Sequence, residues 1–286
     1  MRIGIIDVGG GMRGIYGAGI MDRFMEEGIT FDYSIGVSAG SANLSSYLSR
    51  QTKRNYKYYA EYAFRWQYMS FRSWIVTGNY LNLEYIYGSP LTNSDGECPL
   101  DFKSLMDNPM EFEIVATDSA TGKPVYFSKN DMKQDDYGAV KGSSCVPVAA
   151  KPYQWNGYSL FDGGLSDPIP LQRAFDAGCD KVLVILTRPK DYFRISKSDK
   201  NLAKLIKRKY PVISQALIDR SELYNSQLRY ALEKEKEGRV FILAPESVEG
   251  MKTLTKNHKA MNRLYNRGYE DAKKYIDNLS SFTAEN

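Results

Sequence analysis

The sequence predicts an α/β protein in which short buried strands alternate with helices. Residues 3–6 and 33–37 are short apolar runs, and between them apolar residues recur at helical spacing over residues 15–27. A third run, residues 181–187, is the most continuous apolar stretch of the chain. Such runs are typical of strands buried on both faces of a sheet. The order strand, helix, strand predicts a βαβ unit with a right-handed crossover.

The remaining elements follow the same two periodicities. Gly28 follows the first helix as a C-cap. The other segments with helical spacing are residues 39–49, 213–232 and 253–279, and those with strand character are residues 112–117, 124–127, 158–161 and 239–243. We therefore expect one α/β domain, with a helix-rich C-terminal extension packed on it.

The composition excludes several classes of protein. At 286 residues with a net charge of +4, the chain can bury a sizeable core but lacks the basic excess of a nucleic-acid-binding protein. Cys98, Cys145 and Cys179 form no Cys-x-x-Cys motif, which favours a reduced, cytosolic chain. Residues 1–7 carry an apolar run too short for a signal peptide, and no stretch approaches the roughly 18 apolar residues of a membrane span. We expect a cytoplasmic protein whose membrane contact, if any, is peripheral.

A candidate nucleophile lies where the second strand ends. The segment Gly36-Val37-Ser38-Ala39-Gly40 fits the Gly-x-Ser-x-Gly pattern, in which a serine occupies a sharp strand-to-helix turn. The turn lifts the hydroxyl above the sheet, and the N–H group of Ala39 can stabilise an oxyanion. A plain Gly/Ser turn is the alternative. Because a strand precedes Ser38 and a helix-compatible segment follows it, we predict that Ser38 is a nucleophile.

A glycine-rich loop follows the first strand, with the sequence Gly9-Gly10-Gly11-Met12-Arg13-Gly14. It fits the dinucleotide-binding fingerprint, which also requires an acidic residue at the end of the next strand. The nearest acid, Asp32, precedes that strand, so the sequence lacks the acidic residue that a dinucleotide-binding site requires there. We favour an oxyanion hole, in which the N–H groups of Gly10 and Gly11 face the anion. Arg13 either braces the loop through a salt bridge or meets an anionic headgroup.

A candidate base lies in the turn Asp162-Gly163-Gly164, after a predicted strand. A serine hydroxyl needs a proton acceptor within hydrogen-bond reach. The only histidine, His258, lies among lysines and an asparagine, which indicates a solvated face rather than a base. An aspartate titrates near ~3.9 unless burial raises its pKa. We therefore expect Asp162 to be partly desolvated, and a pH–rate profile without a limb near ~6.5.

Taken in this order, the three blocks resemble the bacterial patatin-like phospholipases. In that family they serve as the oxyanion hole, the serine nucleophile and the aspartate of a Ser-Asp dyad, which places these roles on residues 9–14, Ser38 and Asp162. Residues 116–118 and 143–147 are also similar to the family pattern.

The resemblance covers residues 3–190, which we expect to be the catalytic domain, and leaves residues 191–286 as the helix-rich extension. It implies a three-layer α/β/α sandwich with a mainly parallel central sheet. It also implies hydrolysis of lipid acyl esters, of the phospholipase A or lysophospholipase type, through an acyl-Ser38 intermediate with Asp162 as general base. No metal or organic cofactor and no nucleic-acid partner are expected. A soluble carboxylesterase or thioesterase, and a lipid-binding protein with a weak site, remain as alternatives.

Three further features of the sequence each have two interpretations. The aromatic residues 56–87 fit either the lining of an acyl pocket and its cap or ordinary helix packing. The basic residues 188–209 fit a solvated helix face, with attraction to anionic lipid as the alternative. Cys145 is expected to be a small packed residue rather than a thiol nucleophile, because no histidine lies near it in sequence to activate it.

Overall fold

The central sheet is mixed. The computed structural model describes residues 1–283, and within them eight strands form one sheet in the order β5-β6-β3-β2-β1-β7-β8, with β4 paired to β3. The strands are β1 (Ile3–Asp7), β2 (Tyr33–Val37), β3 (Glu111–Asp118), β4 (Pro124–Ser128), β5 (Tyr153–Trp155), β6 (Tyr158–Asp162), β7 (Lys181–Ile185) and β8 (Val240–Leu243). The run β3-β2-β1-β7-β8 is parallel, and β4, β5 and β6 are antiparallel to their neighbours.

The helices flank this sheet and join its strands. They are α1 (Ile15–Glu26), α2 (Ala39–Leu48), α3 (Arg54–Ala60), α4 (Phe71–Thr77), α5 (Leu83–Tyr87), α6 (Phe102–Asp107), α7 (Gly138–Ser143), α8 (Leu171–Asp176), α9 (Lys197–Ile206), α10 (Pro211–Lys236), α11 (His258–Asp277) and α12 (Leu279–Thr283). The predicted helix start at residue 253 is wrong. Helix α11 begins at His258, because the side chain of Asn257 accepts a hydrogen bond from the N–H group of Ala260 and caps it.

Side chains alternate between two cores, one on each face of the sheet. Along β1, Ile5 belongs to the core covered by α1, α2 and α11, whereas Ile6 belongs to the core covered by α8 and α10. The same alternation separates Leu183 from Val184 along β7. The predicted α/β class and its helix–sheet–helix layering are therefore confirmed.

The C-terminal third packs closely on the sheet and its first helix. Strand β8 extends the parallel sheet beyond β7. Helix α11 lies against α1, where the hydroxyl of Tyr16 donates to Asp271 at 2.8 Å and that of Tyr265 donates to Asp22 at 2.6 Å. Among residues 1–283, no helix is both long enough and apolar enough to cross a membrane.

Strand β3 brings the ends of two other strands together. Val115 pairs with Val37 at the end of β2, and the next residue, Ala116, pairs with Asp162 at the end of β6. Because β4 occupies the opposite edge of β3 over the same residues, β2 and β6 share one edge. They run toward each other along that edge and end head to head. The residue after β2, Ser38, therefore lies beside Asp162.

Candidate active site

Ser38 occupies a strained turn between β2 and α2. Its backbone has φ 55° and ψ −129°, a conformation that costs a non-glycine residue about 1–3 kcal/mol. The two flanking glycines permit close backbone approach. A Cβ atom on Gly40 would lie 2.1 Å from the carbonyl oxygen of Asp7, and one on Gly36 would lie 2.4 Å from the Cα atom of Ser41. Any larger residue at either position would displace the turn that presents the serine.

The hydroxyl of Ser38 is bonded directly to the carboxylate of Asp162. Ser38 Oγ donates to Asp162 Oδ2 at 2.6 Å, while Oδ1 accepts the N–H group of Gly164 at 2.8 Å. Ser38 is 6% exposed and Asp162 5%. The backbone of Asp162 is also fixed, since its N–H group donates to the carbonyl of Cys145 and its own carbonyl accepts the hydroxyl of Thr117, each at 2.8 Å. The pair is thus held by the sheet and by the turn after β6.

The pKa of Asp162 is set by burial, by its hydrogen bonds and by two nearby arginines, Arg220 and Arg194. Burial raises the pKa of the Asp162 carboxyl above its ordinary value, while the positive charge of Arg220 and the hydrogen bond from Ser38 oppose that rise. Arg220 is held near Asp162 because its Nε donates to the carbonyl of Gly164 at 2.8 Å. A carboxylate with a raised pKa is a better proton acceptor than an exposed aspartate. Partial desolvation is what a Ser-Asp dyad requires.

The glycine-rich loop lies beside this pair. Gly9, Gly10 and Gly11 all have positive φ, and Gly10, at 112°, adopts a conformation that only glycine takes readily. The N–H group of Gly9 donates to Asp7 at 2.8 Å. Among the described residues, no acceptor contacts the N–H groups of Gly10, Gly11 or Ala39. These three groups are therefore free to bind an anion formed next to Ser38.

Asp7 anchors the loop, a role that sequence reasoning missed. It is fully buried, and its Oδ2 accepts from Asn43 Nδ2 at 2.8 Å. The same nitrogen donates to the carbonyl of Gly14, and Asn43 Oδ1 accepts from the hydroxyl of Tyr59 at 3.1 Å. Burial raises the pKa of Asp7 to about 6. An acidic residue at the last position of a buried strand was the available signal.

The other predicted residues brace the same elements. The N–H group of Met12 donates to the carbonyl of Thr253 at 2.9 Å. Gly163 packs so closely on β3 that a Cβ atom there would lie 2.2 Å from the carbonyl oxygen of Val115. Ser143 Oγ, at the end of α7, accepts the N–H group of Ser38 itself at 2.8 Å and so holds the turn in place.

A narrow apolar cavity, open to solvent, lies on one side of Ser38. Its walls come from the glycine loop, from α2, and above all from the aromatic segment of residues 56–87. That segment contributes Tyr58, Tyr59, Tyr68, Met69, Leu81, Leu83, Ile86 and Tyr87. The segment thus packs as helices and also forms a large part of the cavity wall.

A polar cleft opens on the other side of Ser38. The apolar cavity and the polar cleft share four lining residues, which are Ser38, Gly11, Val146 and Thr253. The cleft is also lined by Asp162 and by the guanidinium groups of Arg13, Arg188, Arg194 and Arg220. The expectation of a solvated face holds for the lysines of α9, which are exposed. It is wrong for Arg188 and Arg194, which follow β7 in sequence and line the cleft beside Asp162.

Other nucleophilic and basic side chains lie elsewhere. His258 is exposed at the start of α11, where its ring packs on Phe64 at 5.5 Å. Cys145 is fully buried and donates to the carbonyl of Lys151 at 2.9 Å, and burial raises the pKa of its thiol. All three cysteines are buried free thiols. Within residues 1–283, no three His, Cys, Asp or Glu side chains cluster closely enough to hold a metal ion.

Comparison with known proteins identifies two family matches. Residues 8–175 match the model of the patatin-like phospholipases, and residues 210–284 match a domain of unknown function, DUF6363. The matched residues 8–175 contain the glycine loop, the Ser38 turn and Asp162.

Individual relatives are more distant. The uncharacterized protein YjjU of Escherichia coli is 29% identical over 195 residues, which are 67% of this chain and 54% of that protein. The uncharacterized NTE family protein Rv1063c of Mycobacterium tuberculosis is 29% identical over 77 residues, 27% of this chain and 20% of that protein. The chain thus spans about half the length of the E. coli relative and less of the mycobacterial one. VipD from Legionella pneumophila superimposes with a TM-score of 0.49 at 12% identity, over 96% of this chain and 67% of that one.

Proposed function

Because the chain belongs to the patatin-like phospholipase family, we propose that it is a serine acyl hydrolase that cleaves lipid acyl esters, of the phospholipase A or lysophospholipase type. One observation carries this proposal: Ser38 Oγ lies 2.6 Å from Asp162 Oδ2, at the mouth of an apolar cavity. A hydroxyl bonded to a buried carboxylate on a strained turn is a nucleophile paired with its base.

The first half-reaction forms an acyl-enzyme. Ser38 Oγ attacks the ester carbonyl while Asp162 Oδ2 takes its proton. The N–H groups of Gly10, Gly11 and Ala39 stabilise the oxyanion, and loss of one such donor typically costs about 3 kcal/mol of transition-state stabilisation. The C–O bond of the ester then breaks, and the leaving alcohol takes the proton from Asp162.

The second half-reaction releases the fatty acid. Asp162 takes a proton from water, which attacks the acyl carbon, and Ser38 Oγ leaves and recovers that proton. The same carboxyl must therefore be ionised at the start of each half-reaction and protonated in the middle. Burial raises the pKa of the Asp162 carboxyl and Arg220 limits that rise. The carboxyl can therefore both accept the proton and give it back.

The apolar cavity is the proposed site of the acyl chain. Its wall is formed mainly by tyrosine, leucine, isoleucine and methionine side chains of residues 56–87. Each methylene buried there contributes about 0.8 kcal/mol of binding free energy. Chain length should therefore affect turnover strongly until the cavity is full.

We also propose peripheral contact with anionic lipid through α9 and the segment before it. Ile195 and Leu205 are exposed there by 76% and 72%, and the lysines of α9, which are close to them in sequence, are exposed as well. Apolar side chains close to lysines favour the interface of an anionic bilayer. Vesicles rich in phosphatidylglycerol should sediment with the protein, and Leu205→Glu should weaken this binding. Equal sedimentation of the variant would contradict the contact.

The alternatives make different predictions. A soluble carboxylesterase or thioesterase would turn over monomeric short-chain esters faster than lipid in micelles. A lipid-binding protein with a weak site would bind vesicles equally well with Ser38→Ala and turn over nothing.

The test is fatty-acid release from a chain-length series of esters, measured below and above the micellar threshold. We expect long-chain lipid esters to be preferred, Ser38→Ala to be inactive, and Ser226→Ala, an exposed serine on α10, to match the wild type. Preference for acetyl esters would favour the soluble esterase. Absence of release from every ester in a folded protein would overturn the proposal.

A further inference from the structure

Four guanidinium groups converge on the polar cleft from three separate parts of the chain. Arg13 comes from the glycine loop, Arg188 and Arg194 come from the segment after β7, and Arg220 comes from α10. Arg194 is neutralised, because its Nε and Nη2 donate to the buried carboxylate of Asp199 at 2.7 and 2.8 Å. The other three have no such partner: within residues 1–283, no carboxylate lies within salt-bridge distance of them.

Arg13 shows that the cluster contains an unpaired hydrogen-bond donor. It is only 5% exposed, and its Nη1 donates to Thr253 Oγ1 at 3.2 Å, but its buried Nε has no hydrogen-bond partner. Burial and the positive charges of Arg188, Arg194 and Arg220 lower its pKa to about 9. A buried donor on a charged group is costly when it is left unpaired.

The charge balance of the polar cleft indicates which ligands it can bind. The four guanidinium groups face two carboxylates, Asp162 and Asp199, which leaves two positive charges uncompensated among the described residues. Guanidinium groups bind phosphate through paired hydrogen bonds of fixed geometry. A dianion in the cleft would offset the excess charge, whereas a quaternary ammonium group there would meet like charges.

We propose that Arg13, Arg188 and Arg220 bind the phosphate of the substrate, and that this substrate is an acyl ester of a phosphomonoester rather than a zwitterionic or neutral lipid. The inference rests on the proposed acyl hydrolase activity. Because Ser38 lines both openings, a substrate with its acyl chain in the apolar cavity and its carbonyl at Ser38 extends its alcohol portion into the cleft. The alcohol released on acylation then carries the phosphate, and the phosphate ester bond itself stays intact.

The first experiment measures binding without turnover, in the Ser38→Ala protein. The ligands are 1-acyl-glycerol 3-phosphate, the monoacylglycerol of the same chain, glycerol 3-phosphate and inorganic phosphate. We expect the acyl phosphate to bind at least about 10-fold more tightly than the monoacylglycerol. Adding Arg188→Gln should remove most of this difference, whereas Arg208→Gln, which removes an exposed arginine of the same basic segment, should not.

Equal affinities of the acyl phosphate and the monoacylglycerol would overturn the proposal. Inorganic phosphate binding as tightly as the acyl phosphate would make free phosphate the ligand and would also overturn it.

The second experiment measures kcat/KM for the acyl phosphate and for the monoacylglycerol. The ratio of the two should fall at least about 10-fold in Arg188→Gln, mainly through KM, and should be partly restored in Arg188→Lys. Thermal melting confirms that each variant is folded. An equal loss on both esters would mean that the cluster acts on the dyad and not on phosphate.

The two hypotheses can fail separately. If neither ester is hydrolysed while the Ser38→Ala protein still prefers the acyl phosphate, the hydrolase assignment fails and the phosphate site stands. If both esters are hydrolysed at equal kcat/KM, the phosphate site fails and the hydrolase assignment stands.

Discussion

The two walls beside Ser38 differ in chemistry and in origin. The apolar wall is formed mainly by a continuous stretch of the chain, residues 56–87, which lies between α2 and β3 in sequence. The cationic wall is assembled from residues far apart in sequence, Arg13, Arg188 and Arg220. The first is built from local sequence, and the second exists only because the sheet and α10 bring distant residues together.

The two walls differ in how they affect the stability of the protein. The apolar wall stabilises the fold and shapes a cavity with the same side chains, so its residues are part of the core. The arginines of the cationic wall belong to neither apolar core, and they carry charge without a carboxylate partner at a cost to stability. Residues kept at such a cost are the ones we expect to contact a ligand.

The largest expected effect comes from filling the apolar cavity. Ala42 lies on α2 and lines the cavity, so Ala42→Leu should shorten it without adding a polar group. We expect kcat/KM for long-chain esters to fall about 100-fold, since several methylenes lose their site at about 0.8 kcal/mol each. Butyryl and shorter esters serve as the internal control. A uniform loss at every chain length would place the acyl chain elsewhere.

The next effect is on stability, through Asp7, which joins the glycine loop to Asn43 and, through Asn43, to Tyr59 of the apolar wall. Its pKa of about 6 in the folded protein exceeds the ordinary value near 3.9, so the folded state binds this proton more tightly than the unfolded state. The resulting stabilisation is complete below pH ~4 and is lost as the pH rises through about 6.

Relative to Asp7→Asn, the wild-type free energy of unfolding should therefore fall by about 2 kcal/mol between about pH 4.5 and about pH 7. Urea denaturation of both proteins at the two pH values measures this difference. A constant offset between the two proteins would show that Asp7 does not titrate in this range.

A smaller effect concerns the cationic wall and the base together. The positive charge of Arg220 lowers the pKa of Asp162 against the larger effect of burial. Since Asp162 must be ionised to accept a proton, the rate falls as the pH drops through its pKa. Arg220→Gln should move that acid limb to higher pH, by less than the full effect of burial. The kcat/KM profile for a neutral ester reports this directly, and an unmoved limb would separate Arg220 from the base.

The smallest effect is expected at Cys145, which lies behind Asp162 and belongs to neither wall. Its thiol is fully buried, so Cys145→Ala should change kcat/KM by no more than about 2-fold while lowering stability by about 1 kcal/mol. Esterase assays and thermal melting measure the two quantities. A loss of activity without a loss of stability would reopen the thiol as a participant.

The layered fold and the proposed dyad follow from local patterns. Short apolar runs, the Gly-x-Ser-x-Gly turn and the Asp-Gly-Gly turn each describe a few consecutive residues, and the fold class they predict is confirmed. The roles of Ser38 and Asp162 remain predictions, although the structure places the two side chains in contact. What brings them together is the register of β3, with neighbouring residues paired to β2 and to β6. No local pattern encodes that register.

The rest of the site could not be predicted, for physical reasons. Asp7 acts through buried hydrogen bonds to Asn43 and Gly9, which depend on how α2 packs on β1. The basic segment 188–209 predicts a solvated face, because a run of basic residues usually is one, so the position of Arg188 and Arg194 in the cleft does not follow from it. The start of α11 was set too early because its apolar spacing continues past the true cap at Asn257.

The central claim is that Asp162 activates Ser38. The most direct test is intact-mass analysis and peptide mapping after incubation with a lipid-tailed fluorophosphonate, for wild type, Asp162→Asn and the exposed control Asp191→Asn. We expect one adduct, on Ser38, that forms at least about 100-fold more slowly in Asp162→Asn and at the wild-type rate in Asp191→Asn. No adduct on folded wild-type protein, or equal rates in all three proteins, would contradict it.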